Sequence, residues 1–164
     1  MVDNIKQKAL EEHIPIIMDD TLEVIADILK KEKPKKILEI GAAVGYSAMC
    51  FSEYLQEGGY IDTIERDIER AEEAKINFKN VEVSDKINLF IGDAVEILPT
   101  LNDKYDVIVT DWRAPIASIY YDGQLGKVKY DCPEGTIEGD LTKKRVYNIE
   151  NSELKDYQDI DITT

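Results

Sequence analysis

The chain has 164 residues, 43% hydrophobic and 33% charged, which is enough for one domain with a real core. Its formal net charge of −14 opposes a broad nucleic-acid-binding face, and no apolar run approaches the roughly 20 residues that span a bilayer. The start, Met1 to Lys6, has no signal-peptide pattern, and Cys50 and Cys132, far apart in sequence, read as free thiols of a reducing cytoplasm.

In chain order, residues 5–13 are predicted to form a short helix that ends at His13-Ile14-Pro15, because the residue before proline disfavours helix. Asp19-Asp20-Thr21 then supplies an N-cap, and Leu22, Ile25, Ala26, Ile28 and Leu29 recur at helical spacing as far as the Lys30-Lys31-Glu32-Lys33 end and Pro34. This basic end reads as a solvated helix terminus before it reads as a phosphate contact. His13, in a connector, reads as a solvated side chain before a general base. A continuous apolar strand follows over 36–41, buried on both faces. Helices are predicted over 47–55, 68–81 and 94–101, and further strands over 60–65, 86–91 and 105–110. Alternation at this spacing predicts right-handed crossovers and a parallel sheet with helices on both faces.

The character changes near Thr110. Five of the nine tyrosines lie beyond it, and short strands are expected over 114–121, 126–130, 136–141, 143–149 and 153–157, as in a meander.

The stretch that organises the first part is Lys36-Ile37-Leu38-Glu39-Ile40-Gly41-Ala42-Ala43-Val44-Gly45-Tyr46-Ser47. It is a strand, a tight turn and a helix N-terminus, where free N–H groups and the dipole suit a polar ligand. Acidic residues close later strands too: Glu65, which stands 24 residues after Gly41, then Asp93 and Asp111. A carboxylate at Glu65 suits ribose hydroxyls, and Asp93 with the Ala94 backbone suits an adenine amino group. A dinucleotide turn needs Gly-x-Gly-x-x-Gly, but Ala43 stands at the middle glycine, which disfavours pyrophosphate. A ligand with a ribose and an adenine but no phosphate fits better, which points to S-adenosylmethionine.

These segments, with Thr63-Ile64-Glu65-Arg66-Asp67, Gly92-Asp93-Ala94 and Tyr105-Asp106-Val107-Ile108, resemble the class I S-adenosylmethionine-dependent O-methyltransferases over Met1 to Asp111. The likeness is to the caffeoyl-CoA/catechol type, in its bacterial tRNA 5-hydroxyuridine methyltransferase branch. It extends to His13-Ile14-Pro15-Ile16-Ile17-Met18, similar to that family's lead-in segment over the active site. The resemblance implies an α/β, Rossmann-like fold, truncated here and followed by a β-rich segment. It implies cofactor contacts from Met18, Ser47, Glu65, Asp93 and Ala94, beside the turn residues Glu39, Gly41 and Gly45. It makes Asp111 a catalytic residue and the first ligand of a Mg²⁺ site, for which one aspartate is too few. It further implies a cytoplasmic protein that acts on a small-molecule or tRNA hydroxyl acceptor, with no extended nucleic-acid face, no membrane contact and a homodimer left open.

The family's fifth strand and the acid-amide pair on it have no counterpart after Asp111. Instead, Asp111-Trp112-Arg113-Ala114-Pro115 through Lys143-Lys144-Arg145 resembles an internal segment of the superfamily 1 helicase-like ATPases that recycle RNA polymerase, over about 110–157. Without a Gly-x-x-x-x-Gly-Lys-Ser/Thr loop, ATP hydrolysis is not expected. Trp112 and Arg113 read as structural residues of a small β unit. The chain thus reads as a chimera divided into 1–110 and 111–164. Two functions compete: a methyltransferase, and an inert cofactor-binding module whose tail binds a partner.

Overall fold

The computed structural model describes residues 1–110 and, beyond them, the backbone of five strands. The first part is α/β. It contains α1 (Val2–Glu11), α2 (Asp19–Glu32), β1 (Lys36–Ile40), α3 (Tyr46–Ser52), β2 (Tyr60–Glu65), α4 (Ile68–Asn80), β3 (Ile87–Ile91), α5 (Ala94–Ile97) with the 3₁₀ turn Leu98–Thr100, and β4 (Val107–Thr110). The four strands form one parallel sheet in the order β3-β2-β1-β4. The order moves outward from β1 twice and then returns to its other side, so the crossover helices fall on opposite faces.

The pleat sorts the core. Ile37, Ile61 and Ile87 point to one face, where they join Ile25 and Leu29 of α2, Met49 and Phe51 of α3 and Phe78 of α4. Leu38 and Ile64, offset by an odd number of residues, point to the other, with Leu98 and Tyr105. Period-two alternation in strands that look uniformly apolar explains how both faces are covered.

Local signals account for most element ends. Asp67 caps α4 by accepting from the Arg70 N–H at 3.1 Å. Lys33 closes α2 in the left-handed conformation with φ 47°, just before Pro34. Three of the boundaries that differ from expectation have a local cause. Asp19 and Asp20 lie inside the first turn of α2, where they favour its dipole, while Met18 occupies the N-cap without a side-chain bond. Helix α3 stops at Ser52, whose hydroxyl donates back to the Met49 carbonyl at 2.7 Å. Pro99 turns the expected helix over 94–101 into four α-helical residues and a 3₁₀ turn.

At the amino ends of the strands, Asp62, though 4% exposed, accepts from Tyr105 and, at 2.8 Å, from Asn88. Asp103 accepts from Lys36 at 2.7 Å and from Tyr60. The Asp106 carboxylate takes the Lys35 and Lys36 N–H groups at 2.7 and 3.0 Å, which fixes the approach of β4 to β1.

Beyond residue 110, β5 (Ile119–Tyr121), β6 (Lys127–Cys132) and β7 (Gly135–Asp140) pair antiparallel in sequence order, with Cys132 opposite Gly135. Strands β8 (Arg145–Glu150) and β9 (Glu153–Asp159) form a separate antiparallel pair with an irregularity between Asn148 and Ile149. These strands overlap each expected range, of which residues 114–118, among others, lie outside the described ones. Among the described residues the expected single meander divides into two sheets, without pairing between β7 and β8. The expected turn at Asp122-Gly123, along with Trp112 and Arg113, lies outside the described residues.

Candidate functional site

The turn after β1 is tied to β2 by its backbone. The Gly41 and Ala42 N–H groups both donate to the Ile64 carbonyl, at 2.9 and 3.1 Å. The chain reverses through three residues of positive φ: Gly41 at 98°, Ala43 at 46° and Gly45 at 83°. Ala43 is the informative one, since a residue with a Cβ adopts this region at a cost of about 1–2 kcal/mol. The conformation aims its N–H at Glu65 Oε2, 2.7 Å away, while the Asp67 N–H donates to Glu65 Oε1 at 2.8 Å. Glu65 is 8% exposed and held from both sides by backbone. A carboxylate offers about four acceptor positions, so two donors leave capacity for a ligand.

Beneath the turn lies a second carboxylate. Glu39, 2% exposed, accepts from the Ser47 hydroxyl on one oxygen and from the Thr63 hydroxyl on the other. These bonds join the end of β1, the start of α3 and the middle of β2. Thr63 escapes a sequence reading, because a threonine in an apolar strand reads as β-propensity alone.

These residues face an open cleft. Its walls are the turn from Glu39 to Ala43, Ser47, Glu65, the apolar side chains of Ile16, Ile17, Ile25 and Phe51, and Tyr46 and Val109. Among the described lining residues there are two carboxylates and no cationic side chain. Burial pushes the Tyr46 phenol above its ordinary range, so it is neutral at physiological pH. Burial likewise pushes the neighbouring Cys50 thiol up to about 11. Cys50 is half-buried and free.

Of the residues singled out in the sequence, Glu39, Gly41, Ser47 and Glu65 come together on the cleft. Gly45 serves packing instead. A Cβ there would lie 2.3 Å from Phe78 Cε1, and its positive φ opens α3. Met18 is 54% exposed and is not part of the lining. Asp93 is exposed and caps α5 through the Val95 N–H at 2.8 Å. Its neighbour Gly92 donates to the Glu65 carbonyl at 2.9 Å, so Asp93 stands on the same sheet edge as Glu65 but outside the cleft lining. Ala94 packs against the second-face core. Asp111 lies outside the described residues, and among the described ones no group of three or more His, Cys, Asp or Glu could hold a metal. His13 is exposed in the connector. In the basic stretch, Lys30 pairs with Asp27 at 3.0 Å and Lys36 with Asp103 at 2.7 Å.

The model of the family described as "DNA helicase IV HelD, N-terminal domain" matches residues 54–163. The chain belongs to that family. The HelD match opens just past α3 and takes in β2, α4, β3 and β4 as well as the five later strands.

The α/β part is also similar to methyltransferases. Catechol O-methyltransferase of Bos taurus is 30% identical over 89 residues, 54% of this chain and 33% of that protein. The O-methyltransferase TomG of Streptomyces achromogenes, solved with S-adenosylmethionine, superposes with a TM-score of 0.62 at 25% identity, covering 70% of this chain and 54% of that one. The methyltransferase PaMTH1 of Podospora anserina, solved with S-adenosylhomocysteine, superposes with a TM-score of 0.55 at 30% identity, covering 58% and 42%. The parallel sheet with its helices therefore has the Rossmann-like methyltransferase fold. The chain spans 33–48% of the length of the catechol O-methyltransferases it matches. No described helix is long and apolar enough to cross a membrane.

Proposed function

We propose that residues 1–110 bind S-adenosylmethionine and serve an O-methyltransferase reaction. The observation that carries the reading is the doubly anchored Glu65 carboxylate at the carboxyl end of β2, beside Ser47 and Glu39 in a cleft whose described lining residues include no cationic side chain. In a parallel sheet this edge is where nucleosides sit. Glu65 accepts the ribose hydroxyls, the helix start at Ser47 holds the polar methionine end, and Asp93 with Ala94 flanks the adenine. The cofactor supplies a methyl group on a sulfonium cation, and an acidic cleft with an apolar wall favours a cation over a phosphate. Ile16, Ile17 and Phe51 exclude water from the transfer. Asp111 follows directly on β4 and is proposed to orient the acceptor oxygen. Mg²⁺ would lower that oxygen's pKa, but Asp111 is the one ligand that the resemblance assigns, so no step is routed through a metal. The acceptor is a small catechol-like hydroxyl or a tRNA 5-hydroxyuridine, and the setting is the cytoplasm, with no membrane role.

The HelD match favours a second reading. In it the division falls at residues 110 and 111, the first part binds cofactor without turnover, and the β-rich part, a piece of a helicase-like ATPase, binds a partner. Calorimetric titration with S-adenosylhomocysteine separates the readings. Binding that Glu65→Ala weakens about 10- to 100-fold supports the cleft, because hydrogen bonds to a charged group contribute about 1.5–3 kcal/mol. Mg²⁺-dependent methyl transfer to catechol or tRNA then supports the first reading. Binding without turnover leaves the second, and no binding removes both.

A further inference from the structure

One wall of the cleft comes from the amino-terminal stretch of the chain, and Ile16 and Ile17 seat it on the core. Ile14-Pro15-Ile16-Ile17 is a four-residue strap, and Pro15, Ile16 and Ile17 of it line the cleft opposite Glu39, Ser47 and Glu65. The strap runs between two backbone breaks. His13 has φ 55°, the left-handed region, and Met18 is extended ahead of α2. Before it comes α1, ten residues long, with Ala9 its one buried side chain. Val2 and Ile5 are partly buried on the core beneath. The Ile14 N–H donates to the Ala9 carbonyl at 2.8 Å, so helix and strap move as a unit.

Charge holds this unit down at two points. Lys6 pairs with Asp19, the first residue of α2, which clasps the two ends of the strap together. Lys8 Nζ reaches Glu73 Oε1 of α4 at 2.7 Å, and these side chains are 56% and 27% exposed. Ion pairs at such exposure are weak and screened by salt. A helix of ten residues is also marginal once undocked. Ala9, Ile16 and Ile17 seat this unit on the core, while exposed ionic ties, a short helix and a backbone break at Met18 are the marks of an element that opens locally while the sheet stays folded.

We propose that α1 and the strap form a hinged lid on the cleft, latched shut by the Lys6–Asp19 and Lys8–Glu73 ion pairs. Ligand enters and leaves through the open state, so ionic strength sets the rate of exchange. The inference rests on the cleft being the ligand site, and its test has one arm that needs no ligand.

Hydrogen exchange on the full chain reads the lid directly. The double variant Lys6→Ala/Lys8→Ala is expected to speed exchange of the α1 and Ile14 amides about three- to tenfold and to leave the β1 amides unchanged. Salt at 0.5 M should do the same to the native chain and add little to the variant. Lys75→Ala, which removes one positive charge and a pair with Glu72 inside α4, is the control and should leave α1 unchanged. Unaltered α1 exchange in the double variant overturns the latch, and so does a parallel rise in β1, which would mean general destabilisation. In the second arm, stopped-flow dissociation of S-adenosylhomocysteine should accelerate by the same factor. A constant off-rate beside faster α1 exchange overturns the lid's gating role. Failure of the ligand to bind at all removes the cofactor reading and leaves the exchange result standing.

Discussion

The two faces of the parallel sheet are covered unequally. On one, α1, the strap over 14–17, α2, α3 and α4 pack against the strands in a single cluster of fifteen buried apolar side chains. On the other, α5 and its 3₁₀ turn contribute to a cluster of four among the described residues, with Ile40, Phe90 and Ile108 only partly buried. The cleft belongs to the first face. Its walls come from α2, α3, the strap and the strand ends that these helices support. The part of a methyltransferase fold present here is thus the part that builds the cleft, because the crossovers from β1 to β2 and from β2 to β3 place their helices on one side.

The comparison can be broken by mutation. The largest effect is expected for Phe51→Ala in the fully buried first-face core, about 3–5 kcal/mol in urea unfolding. Leu98→Ala, 5% exposed in the small second cluster, should cost about 2–3 kcal/mol. Equal losses would mean that the second face is as tightly packed as the first. Tyr105→Phe comes next. It removes a donor from the buried Asp62 carboxylate and should cost about 1–3 kcal/mol, with Asn88 left to hold the charge alone.

The smallest effect is a pH dependence at the far end of the strands from the cleft. The Lys36 ammonium, then the Tyr60 hydroxyl, holds the Asp103 carboxyl below its ordinary value of 3.8. A carboxyl with a depressed folded pKa contributes stability that is fully present above the unfolded value. That stability is lost as pH falls through the folded one. The contribution should stay under about 1 kcal/mol, because both side chains are solvated. Asp103→Asn should lose that contribution at pH 7, lose progressively less as pH falls below 4, and so flatten the stability profile there. A variant that loses as much at pH 2 as at pH 7 would show that the residue acts through packing.

Much of the first part was legible from residue spacing. The strand at Lys36–Ile40, the Asp67 cap and the alternation of helices and strands depend on neighbours close in sequence, and such signals survive in a one-dimensional pattern. The site was half legible for the same reason. Glu39, Gly41, Ser47 and Glu65 sit at strand and helix ends, where fold geometry makes a ligand site the default. Asp93 and Gly45 show the limit. A carboxylate that caps a short helix and one that holds a ligand look alike in sequence, and so do a glycine that meets a ligand and one that makes room for Phe78.

By itself the sequence determined the order and type of elements, the acidic character of the cleft and the change of composition near Thr110, since each is carried by residue identity or local period. Only the tertiary structure decided that Ala43 takes up a left-handed turn to present its N–H to Glu65 and that Thr63 completes the cradle of Glu39. It alone decided that a strap from the amino terminus forms a wall of the cleft and that the later strands split into two sheets. Those facts depend on groups brought together from across the chain, and that proximity arises from the packing of both faces onto one sheet.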